Sequence, residues 1–274
     1  MGKSRPPGRH DFVTTSENAV AAVWTDVRNG LKWVTAIGTV IFAGAAFGFR
    51  VTPVSLQAAD EIVQRSRTMY AALRSYSDSG IVVYEYGPSA KDRHTFTTAF
   101  NRSPRRLLLD FHKLGDTDRY VVWADPDAFH TWWKATGQQF DYPNPDNLPA
   151  LNGSGRNTSN VGLKIPTLLY GRAQLLSDFA NFTDLTEDGT EEVGGHRCHR
   201  VLGTTRDVYA ATNKEVNVRK MTVWIDADSL LIRKVVEQWK ALPGQINRMT
   251  TTYEPQANPS IDESRLRFVV PSPR

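Results

Sequence analysis

The residues best suited to chemistry lie in the last third of the chain. His196, Cys198 and His199 stand within four positions, and imidazole and thiolate are the usual ligands of zinc. On a strand, however, His196 and Cys198 share one face while His199 points to the other, so the three cannot converge without a bulge. Cys198 is the single cysteine and is read as a small buried apolar side chain rather than a ligand. Glu191-Glu192 and the pair Asp226/Asp228 could serve acid–base work. Adjacent strand residues face apart, though, and Asp226-Ala227-Asp228 has the composition of a hairpin turn. Gly153-Ser154-Gly155 begins a phosphate-binding fingerprint, but Thr158 stands where its third glycine belongs and no strand leads in. Nothing local unites a nucleophile with a base, a constellation defined in space rather than in sequence. The sequence therefore yields no catalytic residue, no metal site and no cofactor.

The elements that would position a site are mostly strands. Residues 56–76 have the apolar spacing of an amphipathic helix, with Leu56, Ala59, Val63, Tyr70 and Leu73 near one face. From 81 onward the period becomes two: 81–84, 94–100, 107–111, 120–123 and 129–133 are short β-branched or aromatic runs separated by turn residues. Residues 136–165, rich in Asn, Pro, Gly and Ser, read as a long loop of the kind that is usually functional. Residues 165–182 read as one or two short helices, and strands resume at 191–193, 199–203, 216–225, 231–240, 247–253 and 265–270. About ten strands with only two helical elements predict an α+β, mostly antiparallel architecture. A sheet that wide must curl, close or split, and a curved half-barrel with helices across its concave face is the economical form. Phe96, Phe100, Leu109, Phe111, Trp123, Trp133 and Trp224 on strands, with Leu168 and Leu169 on the helical insert, are the candidate lining of an apolar cavity.

Charge and hydropathy divide the chain of 274 residues. Of its formal charge of +4, residues 1–58 contribute six Lys/Arg against three Asp/Glu, and the remainder holds 27 against 26. A near-neutral body has no clustered positive field for nucleic acid. Trp33 to Phe49 is an uncharged run of seventeen residues, about 25 Å as a helix and close to the short end of a membrane span. Positive charges precede it, which places the N-terminus inside and the body outside the membrane. The expected division is a tail over 1–32, a signal or transmembrane segment over 33–49, a linker or cleavage region over 50–58 and the folded domain over 59–274. Cleavage near Ala58 and a retained inner-membrane anchor are both open. No cysteine adjoins the apolar run, so lipid attachment there is excluded.

Several motifs occur in the order found in a known superfamily. They are Leu73-Arg74-Ser75-Tyr76 before Gly80-Ile81-Val82; Arg102-Ser103-Pro104-Arg105-Arg106-Leu107-Leu108-Leu109-Asp110-Phe111; Val121-Val122-Trp123-Ala124-Asp125 with Thr131-Trp132-Trp133; and Ile165-Pro166-Thr167-Leu168-Leu169. Glu192 to Cys198, Trp224-Ile225-Asp226 with Leu231-Ile232-Arg233-Lys234, and Thr252-Tyr253 through Phe268 complete the series. Across 56–271 the chain resembles the LolA/LolB-like lipoprotein carriers, and within them the periplasmic DUF2092 branch. The resemblance implies a half-barrel whose apolar cavity holds acyl chains of lipid or lipoprotein, and it matches Arg102 to an arginine that latches the helical lid. It departs from the family pattern in the inserted Ser103 and in Asp125-Pro126-Asp127. The leading expectation is thus an extracytoplasmic lipid or acyl-binding carrier or receptor. The rivals are a membrane-anchored envelope sensor that binds envelope proteins and an envelope hydrolase.

Overall fold

The leading amphipathic stretch forms helix α1, Leu56–Ala72. Ala59, Ile62, Val63, Ser66 and Tyr70 are buried along one face, with Leu73 just beyond the helix, while Asp60, Glu61, Gln64, Arg65 and Thr68 are exposed. The helix stops four residues before the expected end because Ser75 and Tyr76 already belong to the first strand. The computed structural model describes residues 56–87, 90–143, 164–171, 182–209 and 214–272. The segments 1–32 and 33–49 lie outside the described residues, as does most of 50–58. Among the described residues no helix is long and apolar enough to cross a membrane.

The strands are β1 (Ser75–Tyr86), β2 (Ala90–Arg102), β3 (Arg105–Lys113), β4 (Arg119–Ala124), β5 (Phe129–Trp133), β6 (Gln138–Tyr142), β7 (Thr183–Val193), β8 (His196–Tyr209), β9 (Lys214–Asp226), β10 (Ile232–Leu242), β11 (Gln245–Tyr253) and β12 (Gln256–Ala257). They form one open sheet in the order β6-β5-β4-β3-β2-β1-β11-β10-β9-β8-β7, with β12 beside the start of β1. Every pairing is antiparallel, and β1 meets both β11 and β12 from the far end of the chain, with Gly80 opposite Tyr253 and Tyr76 opposite Ala257. Helix α2, Lys164–Leu169, is the described part of the insert, and all six of its residues are buried.

Curvature follows from contacts across the sheet. The Tyr170 ring lies 5.9 Å from Phe100 on β2 and 6.4 Å from Phe129 on β5, strands three places apart that a flat sheet would separate by about 14 Å. The inward rows therefore converge on the helices. One continuous apolar core runs from Phe129 on β5 to Leu185 on β7 and takes in the inner faces of α1 and α2. The architecture is the expected curved, open antiparallel sheet with helices on its concave side. Gly80 fits the bend: a Cβ there would come within 2.2 Å of Phe96 Cζ and 2.3 Å of the Thr252 carbonyl oxygen. The absent side chain is what lets the Phe96 ring lie flat over β1.

Three local expectations differ from the structure. The strand expected at 191–193 is the last part of the eleven-residue β7. This edge strand buries Leu185 but exposes most of Glu187 to Glu192, so its alternation is hidden in a polar run. The expected loop over 136–165 begins with β6, whose residues are mostly exposed. The expected closing strand at 265–270 is a 3-10 turn, Glu263–Leu266, capped by the Asp262 carboxylate, which accepts from Ser264 N at 2.7 Å. Beyond it the chain runs extended without a partner strand, and Phe268 packs against Trp123 and Trp132.

Candidate functional site

The concave face gathers most of the side chains expected to line a cavity. Phe96 and Phe100 on β2, Leu109 and Phe111 on β3, and Leu168 and Leu169 on α2 are all buried in the same core. Trp133 is partly buried against it, its indole N–H held by Asp118 Oδ1 at 2.8 Å. Trp123 and Trp224 require correction: they stand on the opposite face. Inward residues of β4 are Tyr120, Val122 and Ala124, so Trp123 points outward, where it stacks on His130 at 4.9 Å and meets Phe268 at 5.1 Å. Trp224 belongs to a small outer cluster with Cys198 and Val236, with Lys234 Nζ 4.2 Å from its ring and its N–H donated to Glu191 at 2.9 Å. Both strands are apolar on both faces, and alternation alone does not assign a side in such a run.

The two helices are fastened by charged groups. Arg102 donates from Nε to the Leu73 carbonyl at 2.6 Å and from Nη2 to the carbonyls of Tyr70 at 3.3 Å and Leu169 at 2.9 Å. One guanidinium thus ties the C-terminal turn of α1 to the end of α2. Carbonyls at helix ends lack intrahelical donors and carry the negative end of the helix dipole, so a cation is well placed there. At the other end of α2, Lys164 Nζ lies 2.9 Å from Glu237 on β10, and Arg219 on β9 approaches the same carboxylate at 3.3 Å. All three are buried. The sequence marks Arg102 through its motif. It gave no hint of the ion cluster, although Glu237 stands between Val235 and Trp239 in an inward register, a break in the apolar row that could have marked it.

A third feature is polar. Ile232 N donates to Tyr70 OH at 3.0 Å, and Tyr76 OH donates to Asp78 Oδ2 at 2.7 Å. The Tyr70 and Tyr76 rings lie 5.6 Å apart. Burial pushes the Asp78 carboxyl up to about 6, against the pull of its hydrogen bonds.

Among the residues weighed for catalysis and metal binding, His196 meets Asp226 while His199 pairs elsewhere. His196 Nδ1 lies 3.0 Å from Asp226, which Arg233 also engages at 2.9 Å. His199 pairs with Glu187 at 2.9 Å. Cys198 is buried, and desolvation together with the nearby Asp226 carboxylate pushes its thiol up to about 11. Asp226 also accepts from the backbone N–H groups of Asp228 and Ser229 at 3.0 and 2.9 Å, the turn expected from the sequence. Among the described residues no group of three or more His, Cys, Asp or Glu is arranged to hold a metal ion. Gly153-Ser154-Gly155 lies outside the described residues.

No family model matches the sequence, and no curated protein matches it. Solved structures similar to the chain include the Mycobacterium tuberculosis lipoprotein LppX, at 14% identity and a TM-score of 0.45, covering 76% of this chain and 99% of that one. LprF from Mycobacterium bovis is similar at 13% identity and 0.42, covering 79% and 97%. A LolA superfamily protein from Nitrosomonas europaea is similar at 8% identity and 0.35, covering 77% and 97%.

Arg102 offers a direct measurement. Replacing it by Ala removes three hydrogen bonds from a charged donor, each ordinarily worth about 1.5–3 kcal/mol but not additive. Arg102→Ala is expected to lose about 2 kcal/mol in urea unfolding, and Arg102→Lys, which cannot span three carbonyls, most of that. Hydrogen exchange should quicken in 70–73 and 164–171 before it does in β9 and β10. Uniform quickening across the sheet would mean that Arg102 supports the fold as a whole and fastens no lid.

Proposed function

We propose that the protein is an extracytoplasmic carrier or receptor that takes an acyl chain of a lipid or lipoprotein between the concave face of the sheet and helices α1 and α2. The observation that carries this reading is the manner in which α2 is held. A helix of six residues has no stability of its own, yet all six are buried, the Tyr170 that follows them packs on Phe100 and Phe129, and its two ends are pinned by Lys164–Glu237 and Arg102. Release of those ends would expose Leu168, Leu169 and the aromatic rows beneath, an apolar bed of the right kind for an alkyl chain. Each buried methylene is worth about 0.8 kcal/mol, so a sixteen-carbon chain represents roughly 12 kcal/mol. Membrane and protein then compete on nearly equal terms, which is the condition for reversible transfer. Phe96, Phe100, Leu109, Phe111, Trp133, Leu168 and Leu169 would line the chain, and Arg102 would act as the latch.

Mass spectrometry of the protein purified from cell envelopes tests the reading, together with titration of the delipidated protein by a fluorescent long-chain fatty acid. A co-purified amphiphile and saturable binding are expected, with faster probe release from Arg102→Ala. Lipid-free preparations that also fail to bind the probe would overturn the proposal. N-terminal sequencing of the mature protein then separates a free carrier, cleaved near Ala58, from an anchored receptor.

A further inference from the structure

The two margins of the open sheet are built differently. β7 carries Glu187, Asp188, Glu191 and Glu192 along a mostly exposed strand and breaks register with β8 twice. Charges and bulges are the usual means of keeping another strand off an edge. β6 has no bulge, since Gln138–Tyr142 pairs with β5 without a register shift. Its one charged residue, Asp141, is engaged by His130 at 2.7 Å. Among the described residues no strand pairs with its other side, and Phe140 is 50% exposed. The hydrogen-bond alternation defines what that side offers. Asp125 N donates to the Ala128 carbonyl and Lys134 N to the Arg119 carbonyl. In the register of β4 with β5 these bonds turn the peptide groups of His130 and Trp132 toward β4. Those of Phe129, Thr131 and Trp133 therefore turn toward β6, where they meet Tyr142, Phe140 and Gln138. The N–H and C=O groups of Gln139 and Asp141 are left pointing outward.

We propose that β6 pairs antiparallel with β6 of a second copy of this chain, about a two-fold axis that passes between the two Phe140 residues. In that register Gln139 of each copy lies opposite Asp141 of the other, so every outward N–H meets an outward C=O. The Gln139 amide, which donates to Asp141 of its own chain at 2.7 Å, stands directly across from the carboxylate of the second copy. Phe140 faces Phe140 in a non-hydrogen-bonded pair with Cα atoms about 4.5 Å apart, a favourable cross-strand aromatic contact. Pro143, which has no N–H to give, ends the ladder after Tyr142. Two copies of β7 brought together in the same way would set acid against acid. Five residues a side fall short of the roughly 20–30 in a standard interface, so the dimer is weak, with a Kd of about 10–100 µM. The axis stands perpendicular to the sheet, and the two concave faces open to the same side whether or not they take an acyl chain.

Disulfide trapping and sedimentation test the pairing. The full chain carrying Phe140→Cys is oxidised mildly in cell envelopes, beside Leu114→Cys as a control of similar exposure at 48%. The Cα separation of the paired strands suits a disulfide, and Phe140→Cys is expected to form a linked homodimer about tenfold faster than Leu114→Cys. Sedimentation velocity of the purified protein between about 5 and 500 µM should show a monomer–dimer equilibrium. Gln139→Pro removes an outward N–H and leaves the bonds to β5 untouched, so it should raise the Kd about tenfold and slow the trapping by a similar factor. If that variant does not fold, Phe140→Lys, which sets like charges face to face at an exposed position, should dissociate the dimer in its place. A protein that stays monomeric throughout, with Phe140→Cys linking no faster than the control, would overturn the proposal. A dimer indifferent to these substitutions would also overturn it, because it would assemble through another surface. So would capture of Phe140→Cys on a different polypeptide and not on itself, which would assign the edge to a foreign strand.

Discussion

Glu237→Ala is expected to lower stability by about 3–5 kcal/mol, the usual cost of removing one partner from a buried ion pair. Glu237 is completely buried and sits between Lys164 at 2.9 Å and Arg219 at 3.3 Å. Without its carboxylate two cations remain in a low-dielectric interior, and their desolvation is no longer offset from β10. Because Lys164 begins α2, the damage should be lopsided. Hydrogen exchange in 164–171 should rise to the rate of an unprotected segment while β2 and β3 keep most of their protection. Glu237→Gln retains the shape and a hydrogen-bond acceptor but not the charge, and should lose somewhat less. A replacement that leaves the urea midpoint unchanged would mean that the cluster neither holds α2 nor supports the sheet. A triple change of Glu237→Met, Lys164→Met and Arg219→Met should recover much of the loss, since well-packed apolar residues often match a buried ionic cluster.

Wild-type stability should fall by up to about 3 kcal/mol relative to Asp78→Asn as pH rises from 4 to 7. The Asp78 carboxyl is held at about 6 in the folded protein against an ordinary value of 3.8, chiefly through desolvation. Between those two values the folded state holds a proton that the unfolded chain has released. The contribution is therefore complete below about 3.8 and is lost as pH passes through about 6. Other groups titrate the opposite way. Asp125, Asp141, Asp226 and Asp262 lie below the usual carboxylate range, so what they contribute is lost only in stronger acid. His94 is lowered by burial, and its contribution fades as pH falls below the usual histidine range. Subtracting the Asp78→Asn curve removes all of these, because both proteins share them. Urea midpoints measured at half-unit steps for the two proteins would test this, and parallel curves would show an Asp78 carboxyl with an ordinary pKa.

The broad architecture was legible in the sequence wherever burial is one-sided. Burial alternates along β3 and β11, whose outward residues are more exposed, and α1 displays its inner stripe at helical spacing. Legibility failed in three physical situations. Edge strands β6 and β7 bury little, so Gln138 to Tyr142 and Glu187 to Glu192 carry no apolar alternation to read. Strand β4 is covered on both faces, inside by the core and outside by Phe268, so Tyr120-Val121-Val122-Trp123 assigns no direction to its tryptophan. Polar residues that face inward look like residues that face out. Asp78, Thr98, Lys164, Arg219 and Glu237 were invisible for that reason, and only the three-dimensional register brings them together. Arg102 is legible through its motif despite the inserted Ser103.

The pairing of β1 with β11 bears on how the chain is made. Gly80 lies opposite Tyr253, so the central seam of the sheet joins segments separated by about 170 residues. At about 5–20 residues per second, translation delivers the second of these roughly 10–30 s after the first. Throughout that interval α1 and the β1–β5 meander have no neighbour along one margin, and the greasy side of the nascent sheet has nothing from β8 to β11 to complete it. Such a topology folds late and slowly, which makes the unfinished polypeptide a client for holding chaperones until its final third arrives.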